Sequence, residues 1–342
     1  NLETGTTLST ITFTFSEDPG SSFTLGDVVI KNGATVLTSA TDYTWGTLSG
    51  TGLTRTATLT PRAGYEGTMT LSVASGTFSD TPGNLNSDGA DLNNSFDLVV
   101  DTVRPTVSMS ASALTAKAGD SVTLTLTFSE IVTGLSLSDI AISGGTGTVS
   151  NLVQTADPKI YTIDFRPTTG QATGTAIQLA IANNAVQDLK NNNNSDGADA
   201  NNKVTITVDT LAPTIANVLI TSNAGTDNTY IAGDKILIKA VFSEAVTFSD
   251  NNVGLNFKIG NATVTASYDS TNLSNTGTDK YFSYTVLGTD SDTNGISIAA
   301  NPVVITGNTT TVRDAAGNDA VLTYASTTAD SANHLVDTTA PT

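Results

Sequence analysis

Three short phrases recur along this chain in the same order, and that repetition constrains the fold more than any other feature. "FSE" stands at Phe15 to Glu17, Phe128 to Glu130 and Phe242 to Glu244, in steps of 113 and 114 residues. An acidic loop follows each copy: "DTPGN" from Asp80, "DLKNN" from Asp188 and "DAAGN" from Asp314. Then comes D-T-x-x-P-T, from Asp101, Asp209 and Asp337. Ordered self-similarity at a fixed period marks one folding unit used several times. The 342 residues divide into modules at 1–101, 102–209 and 210–337, with 338–342 starting a further one. D-T-x-x-P-T reads as the junction, because proline fixes φ and lacks an N–H, which suits the edge where a new strand begins. Module one lacks that phrase at its start and is expected to lack its first strand, so the chain reads as a slice of an array.

Within a module the pattern is almost entirely that of strands. "TITFTFSE", "VTLTLTFSE", "IYTIDFRPT" and "KVTITVDT" alternate with period two, the mark of half-buried strands. Glycine and asparagine clusters punctuate them, and no stretch carries a helical apolar stripe. "KNG" at Lys31 to Gly33 is a tight turn, since Asn-Gly tolerates positive φ. Module two is expected to place strands near 106–111, 121–128, 139–143, 147–154, 160–166, 176–182 and 203–208. Leu124, Leu126 and Phe128 share one face and point inward. The expected class is all-β: three tandem immunoglobulin-like Greek-key sandwiches arranged as an extended rod. Module three is longer, through an insert between its sixth strand and "RDAAGN".

Composition excludes several functions. Without cysteine there is no disulfide, thiolate ligand or thiol nucleophile. One histidine, His334, expected at the surface, rules out sites that need two imidazoles, and Ser16, Ser129 and Ser243 have no partner for a triad. A net charge of -18 repels nucleic acid and anionic membranes and attracts cations. No apolar run is long enough to span a bilayer, and no signal peptide is visible.

The combined phrase "DTLAPT…AGDKILIKAVFSEAV…RDAAGN…VDTTAPT" resembles the bacterial Ig-like modules repeated in giant surface adhesins of the biofilm-associated and RTX types. The resemblance covers all three modules. It implies an extracellular, cell-surface protein exported by type I secretion, with calcium bound at module junctions.

The residues support the calcium expectation independently. In a seven-strand sandwich the loops after strands two and six share the pole where strand one enters. Asp101, Glu130, Asp139 and Asp188 should therefore meet at the first junction, and Asp209, Glu244 and Asp314, with Asp250 as a weaker fourth, at the second. Glu17, Asp27 and Asp80 form an incomplete set in module one. Carboxylates crowded into one volume repel unless a cation lies between them. Oxygen donors without usable cysteine or histidine select a hard cation, and Ca²⁺ tolerates irregular cages best. "DLKNN" departs from the pattern at Asn191, which still tolerates the left-handed turn.

Other acidic groups are weaker candidates. Asp88, Asp91, Asp196 and Asp199, in "NSDGADLNN" and "NSDGADANN", are either a further calcium site or a solvated loop. Asp120 and Asp234 read as turn residues that approach the outgoing linker. Glu17 with Asp80 imitates a glycosidase acid pair, but recurrence at every junction favours structure over catalysis. Tyr43 and Trp45 read as core rather than a sugar-stacking platform. The expected function is a non-enzymatic, calcium-rigidified spacer segment of a bacterial adhesin, monomeric, whose partners are the neighbouring modules. The alternatives are a carbohydrate- or protein-binding module and an accessory region of a secreted hydrolase.

Overall fold

The computed structural model describes residues 9–87, 93–196 and 200–341. Among them strands such as Val122–Phe128 and Lys235–Phe242 follow the period-two pattern. Module one contributes β1 (Ser9–Thr14), β2 (Val28–Asn32), β3 (Thr35–Val36), β4 (Tyr43–Trp45), β5 (Thr54–Pro61), β6 (Glu66–Val73) and β7 (Ser95–Asp101). They form two sheets, ordered β1-β5-β4 and β3-β2-β6-β7. The "KNG" turn joins β2 to β3, with Gly33 at φ 58°.

Module two shows the complete plan. It comprises β8 (Val107–Ala111), β9 (Thr115–Lys117), β10 (Val122–Phe128), β11 (Val132–Thr133), β12 (Ile140–Ser143), β13 (Gly147–Gln154), β14 (Ile160–Pro167), β15 (Thr175–Ile181), β16 (Gln187–Asp188) and β17 (Lys203–Asp209). The seven expected strands are all present. The additions are β9, β11 and β16, each two or three residues long and too short to leave a periodic trace. Two four-stranded sheets, β13-β14-β10-β8 and β12-β15-β17-β9, face each other. Leu124, Leu126 and Phe128 alternate inward along β10, no more than 2% exposed, against Ile163, Phe165, Ile177 and Ile206. Each such side chain contributes about 1.5–3 kcal/mol by leaving water.

Module three comprises β18 (Ile215–Ile220), β19 (Thr229–Tyr230), β20 (Lys235–Phe242), β21 (Thr247–Phe248), β22 (Val253–Ile259), β23 (Ala262–Tyr268), β24 (Asp279–Thr285), β25 (Ser291–Asp292), β26 (Val303–Ile305), β27 (Val312–Arg313) and β28 (Leu335–Asp337). The segment expected as an insert supplies β26, which pairs with β22 and widens the sheet to β18-β20-β24-β23-β22-β26. Its partner sheet is β19-β28-β25. His334 is not a free surface residue. Its ring stacks on Tyr230 at 6.0 Å, and its Nδ1 lies 3.1 Å from the tyrosine hydroxyl, because β28 runs beside β19. Tyr43 is buried and Trp45 packs edge-on against it, as expected of core residues.

β1, β10 and β20 correspond, and the three "FSE" glutamates follow directly on them. The last strands, β7, β17 and β28, each end on the aspartate of D-T-x-x-P-T. No helix among the described residues is long and apolar enough to cross a membrane.

Candidate metal centre at the module junctions

Each D-T-x-x-P-T phrase folds the same way. Its aspartate carboxylate accepts the backbone N–H two residues on: Val103 to Asp101, Leu211 to Asp209 and Thr339 to Asp337. Its threonine hydroxyl donates back into the module just completed, Thr102 to Arg62 O, Thr210 to Thr168 O and Thr338 to Asp290 O. The linker is thus tied down before the next module begins. The second threonine then pairs with the "FSE" serine of that next module. Thr106 N–H donates to Ser129 Oγ and Ser129 N–H to Thr106 O, both at 3.0 Å. Thr214 and Ser243 repeat the exchange.

The acidic loops also share one geometry. Asp188 Oδ1 accepts the N–H groups of Lys190 and Asn192, and its Oδ2 accepts Asn192 Nδ2 at 2.7 Å. Asp314 is held the same way by Gly317 N–H, Asn318 N–H and Asn318 Nδ2. Asp80 repeats it with Gly83 and Asn84, and those hydrogen bonds, led by the Asn84 amide, hold its carboxyl below the usual range. The turn needs a left-handed residue, and Asn191 takes φ 64° where Gly83 and Gly317 take 104° and 92°. The departure in "DLKNN" therefore leaves the loop intact.

These loops bring the carboxylates together. Oxygen atoms of Asp101, Glu130 and Asp188 lie within 4.8 Å of one another, as do those of Asp209, Glu244 and Asp314. Asp188, Asp209 and Asp314 are buried. Burial first, then the charges of Asp188, Asp101 and Glu66, push the Glu130 carboxyl up from 4.5 to about 7. Glu244 is raised likewise, by burial and then by Asp209 and Asp314. Glu244 Oε1 is buried without a hydrogen-bond partner among the described residues. A carboxylate oxygen in that position is short of a positive charge or a donor. An oxygen-only donor set with one orphaned oxygen fits a hard cation such as Ca²⁺.

Not every expected ligand joins. Asp139 caps its own turn, with Ser136 N–H and hydroxyl both donating to its Oδ2 at 2.8 Å. Asp27 is engaged in the same way by Thr24. Both open a strand after a short 3₁₀ turn, where a capping carboxylate is already satisfied. Asp250 accepts Asn252 N–H and the Thr310 hydroxyl, outside the second group. Glu17 lies beside Asp80, without a third carboxylate among the described residues. Asp120 and Asp234 accept the N–H groups of Lys117 and Ile231, as turn residues do. Asp120 also borders the cleft that holds Asp209, Glu244 and Asp314, so it approaches the outgoing linker. Asp196, 5% exposed, accepts Val107 N–H at 2.6 Å and so anchors the start of β8. Asp88, Asp91 and Asp199 lie outside the described residues.

Three contributors were not anticipated. Glu66, opposite Asp101 on β6, adds a fourth carboxylate charge at the first junction. Asn192 and Asn318 cross the joints. Their side-chain amides donate to the carbonyl oxygens of Asp101 at 3.1 Å and Asp209 at 3.0 Å. The signal for them was present: each acidic loop carries an asparagine four residues after its aspartate, at Asn84, Asn192 and Asn318.

A pH dependence follows from Glu130. Its folded carboxyl holds a proton that the unfolded chain releases between pH 4.5 and about 7. In chelator the protein should therefore lose stability as pH rises across that window, and Glu130→Gln should flatten the slope. Calcium uptake should run the opposite way, strengthening as the carboxyl ionises. Melting curves in chelator at several pH values check this, and an unchanged slope in Glu130→Gln would refute it.

No curated protein sequence matches the chain significantly. Among solved structures, the Escherichia coli adhesin FdeC is similar over 87% of this chain and 84% of its own, with 13% identity and a TM-score of 0.33. A three-domain titin fragment is similar over 92% and 88%, with 8% identity and a TM-score of 0.38. Invasin, described as a bacterial integrin-binding protein, is similar over 92% of this chain and 60% of its own, with 11% identity and a TM-score of 0.29. The profile of the bacterial Ig-like domain matches residues 1–97 and again 101–208, more than half of the sequence, so this chain belongs to the bacterial Ig-like domain family.

Proposed function

We propose that the chain is a non-enzymatic extension segment of a bacterial surface adhesin, stiffened by calcium at its module junctions. One observation carries the reading: each carboxylate group combines the linker aspartate with two acids of the following module. Asp101 joins Glu130 and Asp188, and Asp209 joins Glu244 and Asp314. A joint between small modules flexes unless its interface is large. An ion that takes oxygens from both sides of the linker would remove that freedom and neutralise the crowded charge. The recurrence of the geometry argues for a mechanical role, since a catalytic pair has no reason to appear at every joint. The resemblance of the junction phrase to giant repeat adhesins extends the reading to export by type I secretion and attachment in biofilms. A monomer whose partners are adjacent modules suits such an array.

Small-angle scattering tests the mechanical claim. Modules of roughly 40 Å, from strands at ~3.4 Å per residue plus loops, make a rod of about 120 Å when joined end to end. With calcium the maximum dimension should be single and long. Chelation should shorten and broaden the distribution, and Glu130→Ala should loosen the first joint while leaving the second stiff. Equal extension and rigidity without calcium would show that packing sets the joint. A compact particle in both conditions would remove the spacer reading.

A further inference from the structure

The two carboxylate groups differ in the residue that faces the linker aspartate across the sheet. In module one β6 pairs antiparallel with β7, and Glu66 stands directly opposite Asp101. In module two β15 pairs with β17 in the same manner, Thr175 opposite Val208, so the next place, opposite Asp209, falls to Gly174. In module three Ser291 stands opposite Asp337. Only the first of these three positions carries a charge. Side chains directly opposite on an antiparallel pair share a face, with Cβ atoms about 5 Å apart, and like charges placed so destabilise the sheet. Glu66 against Asp101 is such a pair.

The surroundings of the two aspartates diverge accordingly. Glu130 is raised by burial and then by three acids, Asp188, Asp101 and Glu66, whereas Glu244 is raised by burial and then by two, Asp209 and Asp314. Asp209 is partly satisfied within its own module, since the Thr173 hydroxyl donates to its Oδ2 at 2.6 Å. Gly174, beside that threonine, takes φ 81°, a left-handed conformation that disfavours a side chain, and a Cβ added to it would meet nothing within 4 Å. That side of the second cleft therefore holds a hydroxyl and open space where the first holds a carboxylate. Lysines do not account for the difference, because each joint has one: Lys159 acts against the acids at the first, and Lys117 borders the cleft at the second. Asp120 also borders the second cleft, but its Oδ2 accepts Lys117 N–H, and it is not among the charges that raise Glu244.

We propose that Glu66 is the fourth carboxylate of the first cage and makes that joint take up calcium before the second. The inference rests on the calcium reading of both groups given above. Calcium sites are tuned by the number of charged ligands they hold. One further unit charge about 6 Å from a divalent ion strengthens its binding roughly tenfold, even at the dielectric of water. The ion also offsets the repulsion between Glu66 and Asp101, which the second joint does not have. The two joints thus stiffen in sequence as calcium rises. At an intermediate level modules one and two form a rigid pair while module three still moves about its linker.

The test titrates calcium into the intact chain at low ionic strength and follows the amide resonances of Val103 and Leu211, whose N–H groups rest on Asp101 and Asp209. Val103 should reach half-saturation at about tenfold less calcium than Leu211. Glu66→Gln removes the charge and keeps the size. It should raise the Val103 midpoint about tenfold, to near that of Leu211, and leave the Leu211 midpoint in place. Glu66→Asp keeps the charge and should hold the Val103 midpoint within about threefold of the parent. Because Glu66 is exposed, neither variant should disturb folding. Coincident midpoints in the parent chain would overturn the proposal and leave the calcium reading standing, and so would a Val103 midpoint that Glu66→Gln does not move. Silence of both amides up to about 10 mM calcium, well above the ~0.1–1 mM of extracellular modules, would instead overturn the calcium reading and this inference with it.

Discussion

Ten millimolar calcium should raise the stability of modules two and three by about 1.4–2.7 kcal/mol each. The range follows from binding to the native state alone, at dissociation constants of about 0.1–1 mM typical of extracellular modules. For domains of this size such a gain is a rise in melting temperature on the order of 10 °C. The physical source is the pair of carboxylate groups, Asp101 with Glu130 and Asp188, and Asp209 with Glu244 and Asp314. Without an ion the folded state confines these charges together, and the unfolded chain disperses them. Asp209→Ala should abolish the gain at the second junction and leave that at the first. Scanning calorimetry with calcium and with chelator measures both. Superimposable curves would refute the metal site, and an equal loss at both junctions on Asp209→Ala would refute the assignment of separate cages.

Asn318→Leu should be more damaging still. The side chain, 4% exposed, donates to Asp209 O at 3.0 Å and Asp314 Oδ2 at 2.8 Å, and accepts Ala118 N–H at 3.1 Å. It therefore links the linker, the acidic loop of module three and the end of module two. Leucine keeps the branching and the number of side-chain heavy atoms, is bulkier, and strands all three polar groups in a buried place. At about 1–3 kcal/mol for each orphaned group, a loss of at least about 3 kcal/mol is expected, with faster hydrogen exchange around Thr214. A loss under about 1 kcal/mol would show that solvent replaces the lost partners. Asn318→Asp separates packing from charge. It keeps the shape but adds a fourth carboxylate, so it should be unstable in chelator and recover with calcium, as the leucine variant should not. Failure of calcium to distinguish the two would mean that the asparagine acts apart from the cage.

Much of the fold could be read in the letters because its signals are local. Period-two alternation produced the seven strands of module two, since neighbouring residues on a strand face opposite sides of the sheet. The left-handed turn at Asn191 was legible for the same reason: a residue's φ preference depends on little beyond itself. The short strands β9, β11 and β16 were not legible, because two or three residues carry no period. His334 was misplaced at the surface, because only the pairing of β28 with β19 stacks it on Tyr230.

The candidate site divides along the same line. A motif repeated at each junction identified Asp101, Glu130, Asp188, Asp209, Glu244 and Asp314, although 29 to 87 residues separate Asp101 from its companions. Repetition substitutes for contact information, since a group needed at every joint must recur in every copy. Glu66 occurs at one junction only and left no such mark. Asp139 looked equal to Glu130, as both flank one loop. It differs because Ser136 satisfies it within three residues, whereas the Glu130 carboxyl accepts no hydrogen bond among the described residues and meets other acids, with only Lys159 acting against them. Strand order and repeated motifs are consequences of preferences that act over a few residues. Which carboxylates remain unsatisfied depends on strands brought side by side from distant parts of the chain. Sheet pairing alone places those groups within hydrogen-bond and Coulomb range of one another.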